Sequence, residues 1–196
     1  MSQIVRVAIV GAECSGKTSL ANDLAKAFAA EIPSAYVPEY LRMFVDLENR
    51  TPRAEEQLSI AQQQQSLEQS LAKELLDQHP NPEFVLLFCD TTPLMTCIYS
   101  EVVFGGSHPE LNQLARAHDY DLTLFTQIDF PWQEDGLQRD GPVAQTKVHF
   151  RVKTRLDELS IPYISVSGTP SIRLTKTQSA VRSLLEKLKN LYNHPI

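Results

Sequence analysis

The 196-residue chain carries 18 lysines and arginines against 24 aspartates and glutamates, a formal charge of −6. That balance weighs against a general nucleic-acid or anionic-membrane surface, while leaving room for a small anion held locally. The length suits one α/β domain whose core needs no disulfide or structural metal, and no second catalytic domain fits. The three cysteines, Cys14, Cys89 and Cys97, are odd in number and form no C-x-x-C spacing. They indicate neither a disulfide framework nor a zinc site, and a reducing cytoplasm is the expected home.

The first apolar run, Ile4 to Val10, is short and carries Arg6. It reads as a buried strand, not a signal peptide, and no run is long enough to span a membrane. It leads straight into Gly11-Ala-Glu13-Cys14-Ser15-Gly16-Lys17-Thr18, the phosphate-binding pattern G-x-x-x-x-G-K-[ST] in its strand-to-helix setting. The glycines let successive amides from Gly11 through Glu13, Cys14, Ser15 and Gly16 point inward at phosphate oxygens. Lys17 would reach the β and γ phosphates, Thr18 would offer its hydroxyl to Mg²⁺, and Ser19 would add a contact to the α-phosphate. A helix is predicted from about Lys17 to Ala30, then a short strand at Ala35 to Val37. Glu39 and Arg42 follow that strand, where an open α/β sheet forms its crevice and an acceptor would sit. As a pair they equally fit an ordinary surface ion pair.

Pro52 precedes a long helix reaching about Gln78, whose periodicity places Gln65 and Glu68 on the buried stripe despite the QQQQ run at 62–65. The apolar strand Phe84 to Cys89 ends at Asp90, the Walker B arrangement in which the carboxylate organises Mg²⁺; Asp90 is also a candidate general base. The turn Thr91-Thr92-Pro93 opens another helix, a fourth strand spans Leu122 to Phe125 and a fifth Tyr163 to Val166. Strands and helices alternate as in a five-stranded parallel sheet covered on both faces. Between the last two strands, Phe130 to about Arg155 reads as a mobile lid with turns at Asp135-Gly136 and Gly141-Pro142. Its Arg139, Lys147, Arg151, Lys153 and Arg155 would close over ATP phosphates, the last at i, i+4 steps from Lys147 and Arg151. Trp132 suits stacking on a flat ligand, and Ser167-Gly168-Thr169 with Arg173 would floor the adenine. A final helix is expected from about Thr175 to Leu191, with no linker or internal repeat.

Together, GAECSGKTSL, VPEYLR, IAQQQQSLE, FCDTTPLMTCIYSE, YDLTLF, PWQEDG and ISVSGTPSIR resemble the NadR-type ribosylnicotinamide kinase family over nearly the whole chain. The resemblance implies ATP- and Mg²⁺-dependent phosphorylation of the ribose 5′-hydroxyl of nicotinamide riboside to nicotinamide mononucleotide. It implies Lys17, Thr18 and Asp90 for nucleotide and metal, Glu39, Tyr40 and Arg42 for the acceptor side, and Trp132 to Gly136, with Asp135, for substrate and lid. Tyr99 would line the same pocket. Gln138 stands where the family's D-G-x-R pattern has arginine and Arg139 is next, so either Arg139 takes that role or the lid differs. NadR proteins usually join this domain to a nucleotidyltransferase and often to a DNA-binding domain; neither is present here, and NAD-linked repression is not implied.

Two other readings remain open from sequence. One is a kinase for a different nucleoside or small alcohol; thymidylate and deoxynucleoside kinases typically place arginine after the aspartate, where this chain has Thr91. The other is a non-catalytic module in which ATP orders the lid to create a partner surface. A GTPase is disfavoured by the lack of an N-K-x-D motif.

Overall fold

The computed structural model describes residues 2–133 and 141–193. The first strand, β1 (Gln3–Val10), alternates two apolar sets: Val5, Val7 and Ile9 point to one side, Ala8 and Val10 to the other, and all are fully buried. Burial on both sides marks the centre of a parallel sheet. After α1 (Lys17–Phe28) come β2 (Ser34–Val37), α2 (Tyr40–Glu48), α3 (Gln57–Gln78) and β3 (Phe84–Cys89). The chain continues through α4 (Pro93–Phe104), α5 (Pro109–Ala117), β4 (Leu122–Thr126), α6 (Pro142–Glu158), β5 (Ile164–Val166) and α7 (Pro170–Asn193). The strands lie in the order β2-β3-β1-β4-β5, every neighbouring pair parallel.

Two apolar layers sandwich this sheet. On one face, Val5, Val7 and Ile9 pack against Leu20, Leu24 and Phe28 of α1 and Val181 and Leu185 of α7. On the other, Ala8 and Val10 meet Leu94, Met95 and Ile98 of α4, Leu111 of α5, and Val148, Val152 and Leu156 of α6. A smaller cluster holds α3 on the β2 side of the sheet, with Ala72 against Val37, Leu87 and Cys89. The expected α/β architecture with helices on both faces is therefore the one observed.

The differences lie at element ends and in one helix phase. The stretch after Glu39, irregular or helical from sequence, is helical (α2), and α5 is a helix that the sequence reading left unassigned. The last helix starts at Pro170, five residues before the expected Thr175, because Thr169 caps it: the Thr169 hydroxyl accepts from the Ile172 amide at 3.4 Å. Within the QQQQ run of α3 the buried glutamine is Gln64, 2% exposed, while Gln65 is half-buried. In a run of four identical residues, side-chain chemistry carries no phase, and the one-residue error follows from that.

The sheet also sets the site. Ala8 pairs with Cys89 in register, so the loop leaving β1 and the residue leaving β3 emerge side by side. Strand β1 lies between β3 and β4, where connections depart in opposite directions and a crevice opens beyond the strand ends.

Candidate nucleotide and acceptor site

The loop between β1 and α1 is held from below by β4. A Cβ on Gly11 would lie 2.2 Å from Thr126 Oγ1, so only glycine lets the loop rest there. Ser15, fully buried, donates to the Ala12 carbonyl at 2.7 Å and lies 2.7 Å from Thr126 Oγ1. Gly16, at φ +78°, turns the chain into α1, and no side chain caps that helix. Its first-turn amides therefore face the cradle, at the positive end of a twelve-residue helix. Lys17 is buried, and its ammonium donates to the Ala12 carbonyl at 2.9 Å, across the loop that it would share with phosphate.

Beside the loop, the Thr18 hydroxyl donates to Asp90 Oδ2 at 2.5 Å. Asp90 is fully buried, and its other oxygen, Oδ1, is a buried acceptor with no hydrogen-bond partner. Burial pushes the carboxyl up to about 6; Glu39 pushes the same way, while Lys17 and the Thr18 hydrogen bond oppose it. An orphaned carboxylate oxygen next to a threonine hydroxyl fits a magnesium ion, a hard cation that takes oxygen ligands. Among the described residues no group of three or more His, Cys, Asp and Glu side chains could hold a metal. Phosphate oxygens and water would have to complete such an ion's shell.

Two cavities flank the loop. The first, about 200 Å³, is lined by Glu13, Lys17, Glu39, Arg42, Gln57 and Tyr99, with the apolar end of α4 (Val103, Phe104) at its rim. Glu39, 8% exposed, takes an ion pair from Arg42 Nε at 3.3 Å. Its main chain is bracketed by Gln64, whose Oε1 accepts from the Tyr40 amide at 2.8 Å and whose Nε2 donates to the Pro38 carbonyl at 3.2 Å. Burial drives the Tyr99 phenol well up, and the carboxylates of Glu13, Glu39 and Asp90 add to that shift. The Tyr36 phenol is pushed up to about 12 for the same reasons, burial first and then Asp90 and Glu39. Glu39, Arg42 and Tyr99 thus come together as expected, and Glu13 faces this cavity and not only phosphate. Tyr40 and Trp132 do not line it.

The second cavity, about 290 Å³, lies on the far side of Gly16 and is lined by Cys14, Ser19, Asp23, Phe130, Pro170 and Arg173. Arg173, 2% exposed, does more than floor it. Its guanidinium donates to the carbonyls of Ser15 at 2.7 Å, Gly168 at 3.0 Å and Gln127 at 3.0 Å, pairs with Asp129, and lies 4.2 Å over the Phe130 ring. Thr169 serves as the cap of α7 already described. Trp132 sits in the segment that closes on Cys14: the Cys14 thiol reaches the Pro131 carbonyl at 3.6 Å, and the Gln133 amide reaches the sulfur at 3.3 Å.

The expected lid is only partly as read. Asp135, Gly136, Arg139 and Asp140 lie outside the described residues. From Pro142 onward the segment is α6, a helix packed into the core through Val148, Val152 and Leu156. Its basic residues are engaged elsewhere: Arg155, 8% exposed, pairs with Glu101 of α4 and donates to Asn112 at 2.7 Å. Arg151 pairs with Glu101 at 2.7 Å and Lys153 with Asp157 at 2.7 Å, leaving Lys147 exposed. Helical spacing did align Lys147, Arg151 and Arg155, but Arg151 and Arg155 face α4, because the sequence does not show which element lies opposite. Sequence reading also missed Gln145, whose Nε2 donates to the Glu13 carbonyl at 2.9 Å, together with Gln57, Gln64 and Asp129. Glutamine and a lone aspartate give no motif to find.

A family model described as an AAA domain, AAA_28, matches residues 6–173. The chain belongs to this AAA domain family. Among solved structures, a thymidylate kinase from Ehrlichia chaffeensis superposes on this AAA domain with a TM-score of 0.62 at 13% identity, over 91% of this chain and 99% of that one. The NadR protein, solved in complex with NR, superposes with a TM-score of 0.60 at 18% identity, over 85% of this chain. The AAA domain here spans 44% of that NadR chain. At these identities the likeness shows a shared P-loop kinase-like fold. No described helix of the AAA domain is long and apolar enough to cross a membrane.

Proposed function

We propose that this protein is an ATP-dependent small-molecule kinase that phosphorylates the ribose 5′-hydroxyl of nicotinamide riboside. One observation carries the kinase reading: two separate cavities meet at the phosphate loop, one bordered by Gly16 and the other by Lys17. A nucleotide in the second cavity would lay its phosphates over the loop toward the first, where an acceptor hydroxyl would await them.

The acceptor cavity supports a nucleoside over a nucleotide. Among the described residues its cations are the loop's own Lys17 and Arg42, which is bound to Glu39, and no further arginine lines it. Its carboxylates and the Tyr99 phenol suit a hydroxyl-rich ribose and the positive pyridinium ring of nicotinamide riboside. In transfer, the acceptor hydroxyl gives its proton to the Glu39 carboxylate as its oxygen bonds to the γ-phosphorus. The bond to the β–γ bridging oxygen breaks, and ADP leaves with that electron pair. Glu39 is assigned as the base because it lines the acceptor cavity, whereas Asp90 is bonded to Thr18. Lys17 holds the phosphates in line, and Asp90 with Thr18 would hold Mg²⁺, which when bound neutralises phosphate charge.

ATP consumption by the purified protein with Mg²⁺, measured across a panel of nucleosides including nicotinamide riboside, tests this. Turnover confined to nicotinamide riboside and lost in Lys17→Ala is expected. Turnover with another nucleoside alone would move the acceptor; ATP binding without any acceptor-dependent turnover would overturn the kinase reading.

A further inference from the structure

The buried amide of Gln64 touches the two residues on either side of Glu39. We infer that Gln64 is the positioning residue that sets the Glu39 carboxylate against the acceptor, an inference that rests on the kinase reading above. Gln64 sits mid-helix in α3, 2% exposed, and the helix neither needs nor uses its side chain for its own hydrogen bonds. It spends both halves of the amide on one short segment: the oxygen takes the Tyr40 N–H and the nitrogen gives to the Pro38 carbonyl. The segment needs such a partner. Residues 38 and 39 have left β2, so the Pro38 carbonyl is no longer in the sheet ladder, and Tyr40 begins α2, where the first amides have no partner within the helix. Glu39, the N-cap of α2, makes no side-chain cap, so its carboxylate is left for the cavity and for Arg42.

The consequence is mechanical. Holding the main chain at both Pro38 and Tyr40 leaves Glu39 little freedom except at its own side-chain torsions, and a misplacement of about 1 Å at a proton acceptor is worth on the order of a hundredfold in rate. Only glutamine spans the gap with both a donor and an acceptor; glutamate keeps the acceptor for Tyr40 but sets a carboxylate against the Pro38 carbonyl. Methionine keeps the volume and loses both bonds. The neighbouring Gln65 has no such contact and lines a different hollow with Gln69 and His118.

The test compares Gln64→Met, Gln64→Glu and the control Gln65→Met. In the protein without ligands, amide hydrogen exchange at Tyr40 should speed up more than tenfold in Gln64→Met and stay at the wild-type rate in Gln65→Met. Unchanged exchange in Gln64→Met overturns the clasp whatever the acceptor is. With nicotinamide riboside as acceptor, Gln64→Met should lower kcat about 10- to 100-fold with KM for ATP unchanged, and Gln64→Glu should fall between it and wild type. Because Gln64 acts through Glu39, the double variant with Glu39→Gln should be no slower than Glu39→Gln alone. Additive losses, or equal losses in ATP binding, would overturn the positioning role while leaving the kinase reading intact. A wild-type protein with no turnover of nicotinamide riboside would instead refute the acceptor assignment, and the exchange measurement would still decide the clasp.

Discussion

At the scale of single residues, the chemistry gathers on Asp90 and the groups that surround it. A carboxylate taken out of water and set near Glu39 resists ionisation, and Lys17, the Thr18 hydroxyl and Arg42 oppose that. With its carboxyl at about 6, the free site is mostly protonated below that pH and ionised above it. In the proposed metal role of Asp90, a magnesium–nucleotide complex would take the ionised form. Its affinity should therefore climb by about tenfold per pH unit up to pH 6 and then level off, as one-proton linkage requires. Asp90→Asn should bind weakly at every pH and show no such climb. Titration of Mg²⁺-ATP by calorimetry between pH 5 and 8 measures both curves (about this span by the same linkage); an Asp90→Asn curve parallel to wild type would remove Asp90 from the metal site.

At the scale of elements, α3 is the helix whose polar stripe matters most. Its periodicity was readable, and so was the burial of Glu68, which is 4% exposed and accepts from the Tyr120 hydroxyl at 2.8 Å. The partner was not readable, because Tyr120 lies 52 positions away in sequence and only folding brings it there. Burial pushes the Glu68 carboxyl from 4.5 up to about 7, against the pull of the Tyr120 hydrogen bond and Arg6. Below 4.5 the folded and unfolded chains both carry the proton. As pH rises toward 7 the unfolded chain releases it first, so stability falls over that window, by about 3 kcal/mol at 1.36 kcal/mol per unit. Glu68→Gln keeps the acceptor for Tyr120 and removes the ionisation. Urea unfolding of both proteins should therefore agree near pH 4.5 and separate in favour of the variant by about 3 kcal/mol at pH 8. A constant difference across that range would mean that Glu68 does not titrate in the window.

The α6 helix teaches the converse. Its basic residues read as a phosphate-facing lid from charge and spacing alone, yet Glu101 on α4 claims two of them. Charge patterning reveals that a helix face is basic; it cannot reveal whether the opposite surface is phosphate, water or a carboxylate from another helix.

At the scale of the molecule, the phosphate loop is held by contacts spread across the chain. Thr126 supports it from β4, Gln145 from α6 and Arg173 from α7. Arg173 is the widest of these ties, joining Ser15, Gln127, Asp129 and Gly168. Arg173→Met would leave the Ser15, Gly168 and Gln127 carbonyls without this donor and the exposed Asp129 with only its Gly168 amide, a loss of about 3–5 kcal/mol at about 1–1.5 kcal/mol per hydrogen bond. For a chain of this size that lowers the melting temperature by about 10 °C, with nucleotide affinity falling as the loop loosens. A melting temperature within about 2 °C of wild type would show that the tie carries no stability.

The phosphate loop, the aspartate at the end of β3 and the five-strand alternation were legible in the linear sequence because each is local. Glycine, lysine and threonine at fixed steps, or an apolar run closed by one acid, state their chemistry within a few residues. What the tertiary structure alone decided is pairing across distance: Glu101 taking Arg151 and Arg155, Arg173 turned inward to the loop, Gln64 and not Gln65 holding the chain at Glu39. Those assignments depend on which surfaces the packed sheet and helices bring within hydrogen-bonding reach, and a linear pattern contains no measure of that distance.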